Sequence, residues 1–282
     1  MKQLAIALCL MLVAGFCFAE LNAIGKTRTA TNRIDVDTNG KWSTMEDAYY
    51  STCVVWQTFS NNDGVNAYDL TTYTNDAAAT NANTLPAWNT TNGGCRVFDG
   101  IDDYMVSSGN ASFDFDTNDA FSVSLWVRRE AAFGAWVGNS KTTLPRKGWL
   151  IGGGGFGIEI RFGMGAAVLG DAGIIVDWTA GLTTSNVFDF VCATYEGTGK
   201  AAGVTLYRNG QAVPMVVVRD NADDSSLTGG RDLRIGNREY TPSPLLLKGA
   251  LDDIRVFRRL LSSNEQYQIY VAEPLKANGG KR

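Results

Sequence analysis

The sequence predicts an all-β fold, a two-sheet antiparallel sandwich, and three observations carry that prediction. About a dozen short runs rich in β-branched and aromatic residues recur between residues 52 and 257. Glycine is frequent, at 31 of 282 residues, and falls between those runs as turns require. Helical periodicity is scarce, while 45% hydrophobic content supplies a sizeable core.

The elements follow in order. "MKQLAIALCLMLVAGFCFAE" has one early lysine, an apolar run and small residues before Glu20, the pattern of a Sec signal peptide over 1–19 cleaved after Ala19. Cys17 raises the alternative of a lipid anchor, but Phe16 stands where a small residue is wanted. The apolar core is too short for a transmembrane helix, and no later segment predicts a span in the mature chain. Secretion, the cell surface or the periplasm is therefore the expected destination. Residues 20–49 read as a polar N-terminal extension, in which Ser43 and Glu46 have capping-box spacing.

One domain is expected over 50–271. It opens with the strand "TCVVWQTF", and the Asn/Thr/Asp-rich stretch 60–93 follows as a long surface loop. "CRVFDG" and "DYMVSS" predict strands on either side of an aspartate turn. "AFSVSLWVRRE" alternates Phe121, Val123, Leu125 and Val127 on one face. "GWLIGGG", "FGIEIRFG", "GIIVDWTA", "VFDFVCATYEG" and "GVTLYRNGQAV" continue the series, and Asn209-Gly210 marks a two-residue hairpin. "PMVVVRD", "DLRIGN" and "GALDDIRVFRRL" complete it. Ser262 and Glu265 then cap a short C-terminal helix, and 272–282 read as a disordered tail.

Composition excludes several functions. The net charge is −4, one unit more negative without Lys2, and no basic patch suits nucleic acid. Histidine is absent, which removes Ser-His-Asp and Cys-His catalysis, imidazole zinc sites and the usual general base. Cys9 and Cys17 leave with the signal, so Cys53, Cys95 and Cys192 remain. One reading joins Cys53 to Cys95 in a disulfide closing about 42 residues, worth roughly 4 kcal/mol. The other makes all three buried small hydrophobes.

The order of segments resembles the laminin-G-like, concanavalin A-like jelly-roll family. "GGCRVFDGIDDYMVSS", "FSVSLWVRRE", "FDFVCATYEG…VTLYRNGQAV" and "LRIGNRE…LKGALDDIRVFRRLLSSNEQYQIY" carry the resemblance, over roughly 50–271. One departure is that "FDFVCA" lacks the histidine usual before that strand's Val-Ala run. The resemblance implies a jelly roll and a binding module for carbohydrate or a surface protein, often with structural calcium, and glycosidases among its relatives.

Calcium wants six to eight oxygen ligands. Asp99, Asp102 and Asp103 supply carboxylates beside Gly100, and Asp252 and Asp253 supply two more. Because the resemblance places first and last strands side by side, the two clusters are expected to converge on one ion. The alternative is turns made by Asp99 and Asp102 side chains, with Asp252 or Asp253 paired to Arg255 or Arg96. For a glycosidase, Glu159 shares its strand face with Arg161, leaving only Asp177 and Asp189 on other strands as second carboxylates. The Gly152-Gly154-Gly157 pattern leads into a strand, not a helix, so it is read as a turn rather than a phosphate loop. Trp136, Trp149, Trp178 and Tyr240 are the ligand-stacking candidates, with core packing as their alternative. The expected function is a non-catalytic, exported carbohydrate-binding module with a structural calcium. The alternatives are an adhesive protein working through protein–protein contacts and a divergent glycosidase.

Overall fold

In the computed structural model, residues 51–59, 62–90, 94–131, 134–140, 147–153, 160–165, 173–178, 187–222, 228–238 and 245–271 are described, all within the unit Asp35–Arg282. The segments expected as a signal peptide (1–19), an N-terminal extension with a Ser43–Glu46 cap (20–49) and a tail (272–282) lie outside them.

The strands in chain order begin with β1 (Cys53–Gln57), β2 (Asn66–Ala67), β3 (Ala77–Ala78), β4 (Ala87–Asn89), β5 (Cys95–Asp99) and β6 (Met105–Ser107). Next come β7 (Phe121–Arg129), β8 (Gly134–Gly138), β9 (Trp149–Gly153), β10 (Ile160–Gly165), β11 (Gly173–Trp178) and β12 (Asp189–Tyr195). The series closes with β13 (Val204–Arg208), β14 (Gln211–Ala212), β15 (Val216–Asp220), β16 (Leu233–Ile235), β17 (Asn237–Arg238), β18 (Leu245–Leu246), β19 (Lys248–Phe257) and helix α1 (Ser263–Val271). One sheet runs β14-β13-β12-β7-β19-β5-β4, with β1 also paired to β19. A second runs β15-β11-β10-β9-β8-β16-β6-β3-β2, and every ladder is antiparallel.

Alternation along the strands builds two cores. Phe121, Val123, Leu125 and Val127 of β7 all join the core shared by both sheets, as their period of two requires. Val191 and Val256 join them, facing Trp136, Ile151 and Val176 from the second sheet. Each such fully buried side chain contributes about 1.5–3 kcal/mol relative to exposure. The intervening side chains of the first sheet point the other way. Trp126, Phe190, Cys192 and Phe257 make a second core beneath α1, where the Trp126 and Tyr270 rings lie 5.8 Å apart.

Local chemistry sets the connections. Asn209 (φ 49°) and Gly210 (φ 79°) join β13 to β14 in the left-handed conformations a two-residue hairpin demands. β9 and β10 are antiparallel neighbours, and most of the Gly152-Gly154-Gly157 pattern falls in 154–159, outside the described residues. Residues 62–90 are more ordered than an open loop: they hold β2, β3, β4 and a 3-10 turn at Ala82–Thr84 capped by the Asn81 side chain.

The cysteine pairing is corrected. Cys53, Cys95 and Cys192 are all reduced, buried thiols. β1 and β5 do flank the same edge of β19, but one after the other. Cys53 lies opposite Phe257, while Cys95 follows the Arg96–Leu251 pair toward Asp252. Those points are four residue steps apart along β7, from Ser122 to Trp126, or roughly 13 Å at strand spacing, whereas a disulfide needs Cα atoms within about 7 Å. Burial pushes the Cys53 thiol up to about 12 and the Cys192 thiol higher still, so both remain protonated at neutral pH.

Helix α1 is anchored by charge. The Ser262–Glu265 capping box forms, with Glu265 Oε2 accepting from Ser262 N (2.8 Å) and Ser262 Oγ accepting from Glu265 N (3.2 Å). Arg259 adds a fork, donating from Nη2 to Oε1 (2.6 Å) and from Nη1 to Oε2 (3.0 Å). The Arg259 bonds, with help from Ser262, hold the Glu265 carboxyl at about 2, below its ordinary 4.5. A depressed folded-state pKa contributes stability that is full above the unfolded value and lost as pH falls through the folded one. Thermal melts from pH 5 to 2 should therefore show a steeper fall in Tm for the native protein than for Glu265→Gln.

Candidate functional site

The aspartate clusters do not converge. β19 runs antiparallel to β5, so Asp99 faces Lys248, and Asp252 lies beyond the Leu251–Arg96 pair. Asp252 and Asp253 are buried in the strand, at 1% and 0% exposure, and their roles are internal. Asp252 Oδ1 accepts from Asp253 N (2.7 Å). Asp253 receives a two-point bond from Arg255, Nε to Oδ1 at 3.0 Å and Nη2 to Oδ2 at 2.8 Å, and a third from Trp56 Nε1 at 2.7 Å. The Arg255 guanidinium also lies 4.4 Å from the Trp56 ring centroid. The alternative of ion pairing with Arg255 is the one realised, and the five-aspartate calcium set is corrected to three.

Asp99, Asp102 and Asp103 do remain together, each offering a carboxylate oxygen within 4.8 Å of the others. Asp99 Oδ1 accepts from Ile101 N (2.7 Å) and Asp102 N (3.3 Å), and Asp103 Oδ2 accepts from Asp99 N (2.9 Å). Gly100 (φ 78°) makes the bend, and a Cβ there would come within 2.8 Å of Lys248 Cβ. Burial pushes the Asp103 carboxyl up, its bond to Asp99 N opposes this, and the Asp99 and Asp102 charges add to the rise. Exposed Asp99 and Asp102 leave room for water to complete a cation's shell, so the trio fits a hard cation.

The stacking candidates are corrected too. Trp136 and Trp149 are fully buried between the sheets, and Trp149 Nε1 donates to Phe113 O (2.9 Å). Trp178 is 6% exposed with the Arg208 guanidinium 5.4 Å from its ring centroid. An indole filling the core cannot also offer its face to a ligand. Tyr240 and Glu159 lie outside the described residues. Of the carboxylates weighed for glycosidase chemistry, Asp189 is spent on its hairpin, bonded by Arg208 Nε (2.8 Å), Arg208 Nη2 (3.1 Å) and Asn209 Nδ2 (3.0 Å).

A surface that residue-by-residue reading missed lies in the loop joining β2 to β3. Its large exposed side chains are Tyr68 (43%), Leu70 (40%) and Tyr73 (38%), and a buried carboxylate braces it from within. Asp69 Oδ1 accepts from Trp56 N (2.8 Å) and Thr71 N (3.0 Å), and Oδ2 from Thr71 Oγ1 (2.6 Å) and Asn75 N (2.9 Å). Buried Asn75 continues the brace, its Nδ2 donating to Val54 O (2.6 Å) and Ser112 Oγ (2.8 Å). Nearby, Arg96 is 1% exposed and bonds only to carbonyls among its described contacts: Pro86 O (3.2 Å), Gly64 O (2.6 Å) and Asn66 O (3.3 Å). The sequence signal was present in "YDLTTYTND", where short polar residues that bond backbone alternate with tyrosines.

A cavity of about 220 Å³ is lined by Phe115, Asn118, Asp119, Ala120, Arg258 and Arg259. Ser112 connects the two features, taking Asn75 Nδ2 on its hydroxyl and Arg258 Nη1 on its carbonyl (3.2 Å).

Comparison with known proteins agrees with this architecture. A sequence profile described as the Concanavalin A-like lectin/glucanases superfamily, of laminin-G type, matches residues 98–265. The chain belongs to that superfamily. No curated protein matches it. Similar solved structures include the binding domain of Paraclostridial Mosquitocidal Protein 1 (15% identity, TM-score 0.57, 78% of this chain and 52% of that one). The botulinum neurotoxin serotype D ligand binding domain, solved with N-acetylneuraminic acid, is another (14%, 0.56, 79% and 51%). A third is the Trypanosoma rangeli sialidase with sialic acid (15%, 0.56, 95% and 39%). The chain thus spans about half the length of the binding domains it matches, and these likenesses speak to fold. Among the described residues, no helix is long and apolar enough to cross a membrane.

Replacing Asp69 with Ala removes the carboxylate that accepts from Trp56 N, Thr71 N and Asn75 N. Chemical denaturation should show a loss of about 2–4 kcal/mol, and amide exchange should accelerate across 68–76 ahead of β7.

Proposed function

We propose that this protein is an exported, non-catalytic carbohydrate-binding module. The observation that carries the reading is the pair of exposed tyrosines, Tyr68 and Tyr73, on a loop whose backbone is bonded internally by Asp69. Sugar rings present apolar C–H faces that stack on exposed aromatics, and a braced loop loses little conformational freedom on binding. The superfamily includes lectins, and two similar folds were solved with a sialic acid, which supports the reading. The signal-like first 19 residues support export.

We also propose calcium at Asp99, Asp102 and Asp103. Ionising buried Asp103 beside two like charges costs stability as pH rises through its raised pKa, and a divalent cation offsets that cost. Asp252 and Asp253 take no part.

A second reading, adhesion through protein contact, is favoured by one observation. β15 is the terminal strand of its sheet, and Val216, Val217 and Val218 are 54%, 54% and 50% exposed. An apolar strand edge of this kind can pair with another chain.

A glycan array with the full chain, Tyr68→Ala and Tyr73→Ala tests the first reading: binding should appear with the native chain and fall at least about tenfold with either variant. Binding that ignores both substitutions would remove the tyrosine loop from the reading. Thermal melts in calcium and in chelator test the ion; Tm should rise with calcium for the native chain and not for Asp99→Asn. An equal Tm in both media would end the calcium proposal.

A further inference from the structure

We infer that the cavity beneath Arg258 is a subsite for a sugar ring carrying a carboxylate. This rests on the carbohydrate-binding reading and specifies its chemistry. The argument begins with the nitrogens of Arg258. Nη1 is occupied, donating to Ala111 O (2.7 Å) and Ser112 O (3.2 Å), while the guanidinium lies 5.7 Å from the Phe115 ring centroid. Its described hydrogen bonds use no other nitrogen. Nε and Nη2 remain, and together they form the side-on edge that meets a carboxylate with two parallel N–H···O bonds.

The opposite chemistry is supplied by the segment before β7. Asp119 Oδ2 accepts from Asp116 N (2.9 Å), which leaves Oδ1 to accept a hydrogen bond from a ligand hydroxyl. The Asn118 side chain is exposed and has no hydrogen bond among the described residues. A cavity lined by a guanidinium, an amide and a carboxylate that keep unused donors and acceptors among the described residues suits a ligand with both a carboxylate and hydroxyl donors. A simple anion meets Arg258 but is repelled by Asp119. A neutral sugar satisfies Asp119 but leaves the guanidinium edge unmet. The volume, about 220 Å³, accommodates one sugar ring.

The walls are fixed in advance. Tyr195 Oη donates to Thr117 O (2.6 Å), and the Phe115 and Phe121 rings stack at 4.4 Å. Arg259, the other cation in the lining, is held by its fork to Glu265 and by Thr52 Oγ1 (3.0 Å). Arg258 is therefore the group assigned to the ligand, and Arg259 shapes the wall beside it.

The test is an NMR titration of the full chain at low salt with glucuronic acid, N-acetylneuraminic acid, glucose, N-acetylmannosamine and acetate. Glucuronic and N-acetylneuraminic acid represent the two sources of a carboxylated ring, and either one binding satisfies the inference. Shifts are expected at 115–120 and 258–259, with an acidic sugar at least about tenfold tighter than its neutral counterpart and than acetate. Arg258→Lys keeps the charge but loses the fork and should abolish that preference. If this variant does not fold, Asp119→Asn decides: acetate should bind more tightly and the gap between acidic sugar and acetate should narrow. Equal binding of acidic and neutral sugars, acetate binding as tightly as either acid, or a gap unchanged by the variants would overturn the inference. Sugar binding without shifts at the cavity overturns this subsite alone, whereas no sugar binding anywhere overturns the module reading with it.

Discussion

The structure turns on a buried charge in its longest described strand. β19 pairs with β7 along one edge and with β5 and β1 in succession along the other. Its register slips between Asp252 and Arg255, and within that slip Asp253 takes φ 47°, a conformation that costs a non-glycine residue energy. The carboxylate that comes with it is fully buried. Such a charge is tolerable only when paired and hydrogen-bonded, and Arg255 and Trp56 provide both. The same Trp56 donates its backbone N–H to Asp69 and accepts from Leu70 N at 2.8 Å. A strained position in the first sheet is thereby linked, through one tryptophan, to the tyrosine loop at the edge of the second.

This linkage explains how a module built mostly from short strands can present a defined surface. Two of the strands within the 62–90 region, β2 and β3, are only two residues long and could not order the chain alone. Order comes instead from buried polar side chains that accept or donate to backbone: Asp69, Asn75 and Arg96. Arg96 is notable in bonding to carbonyls, and its burial, eased by the Asp63 charge, lowers its pKa from the ordinary arginine value. Buried polar side chains brace the backbone of the β2–β3 loop, while Tyr68, Leu70 and Tyr73 stand exposed on it.

Much of the scaffold was legible in the amino-acid sequence because the signals were local. Period-two alternation in Phe121–Val127, the Asn209-Gly210 turn and the Ser262–Glu265 cap each act over a few residues, and each formed. The site was less legible because it depends on register between strands distant in sequence. Adjacency of β5 and β19 was expected from the family resemblance, but direction decides what faces what, and the antiparallel run gave Asp99 a lysine rather than two aspartates. A slip in β19 then turned Asp253 inward, which no local pattern announces. For tryptophan, composition cannot separate a stacking platform from a core residue; only the opposing sheet reveals that Trp136 and Trp149 fill the interior.

The placement of β19 has a consequence for how the protein is made. Its partners β1, β5 and β7 are all synthesised earlier, and β1 precedes it by about 200 residues, a separation typical of slowly forming contacts. Until residues 248–257 leave the ribosome the first sheet lacks its middle, and the edges of β5 and β7 that β19 will cover are open. A chain translated at about 5–20 residues per second spends tens of seconds or less in that state. Productive assembly is thus a race at the end of translation, in which the last strand must reach its gap before the waiting edges find another partner.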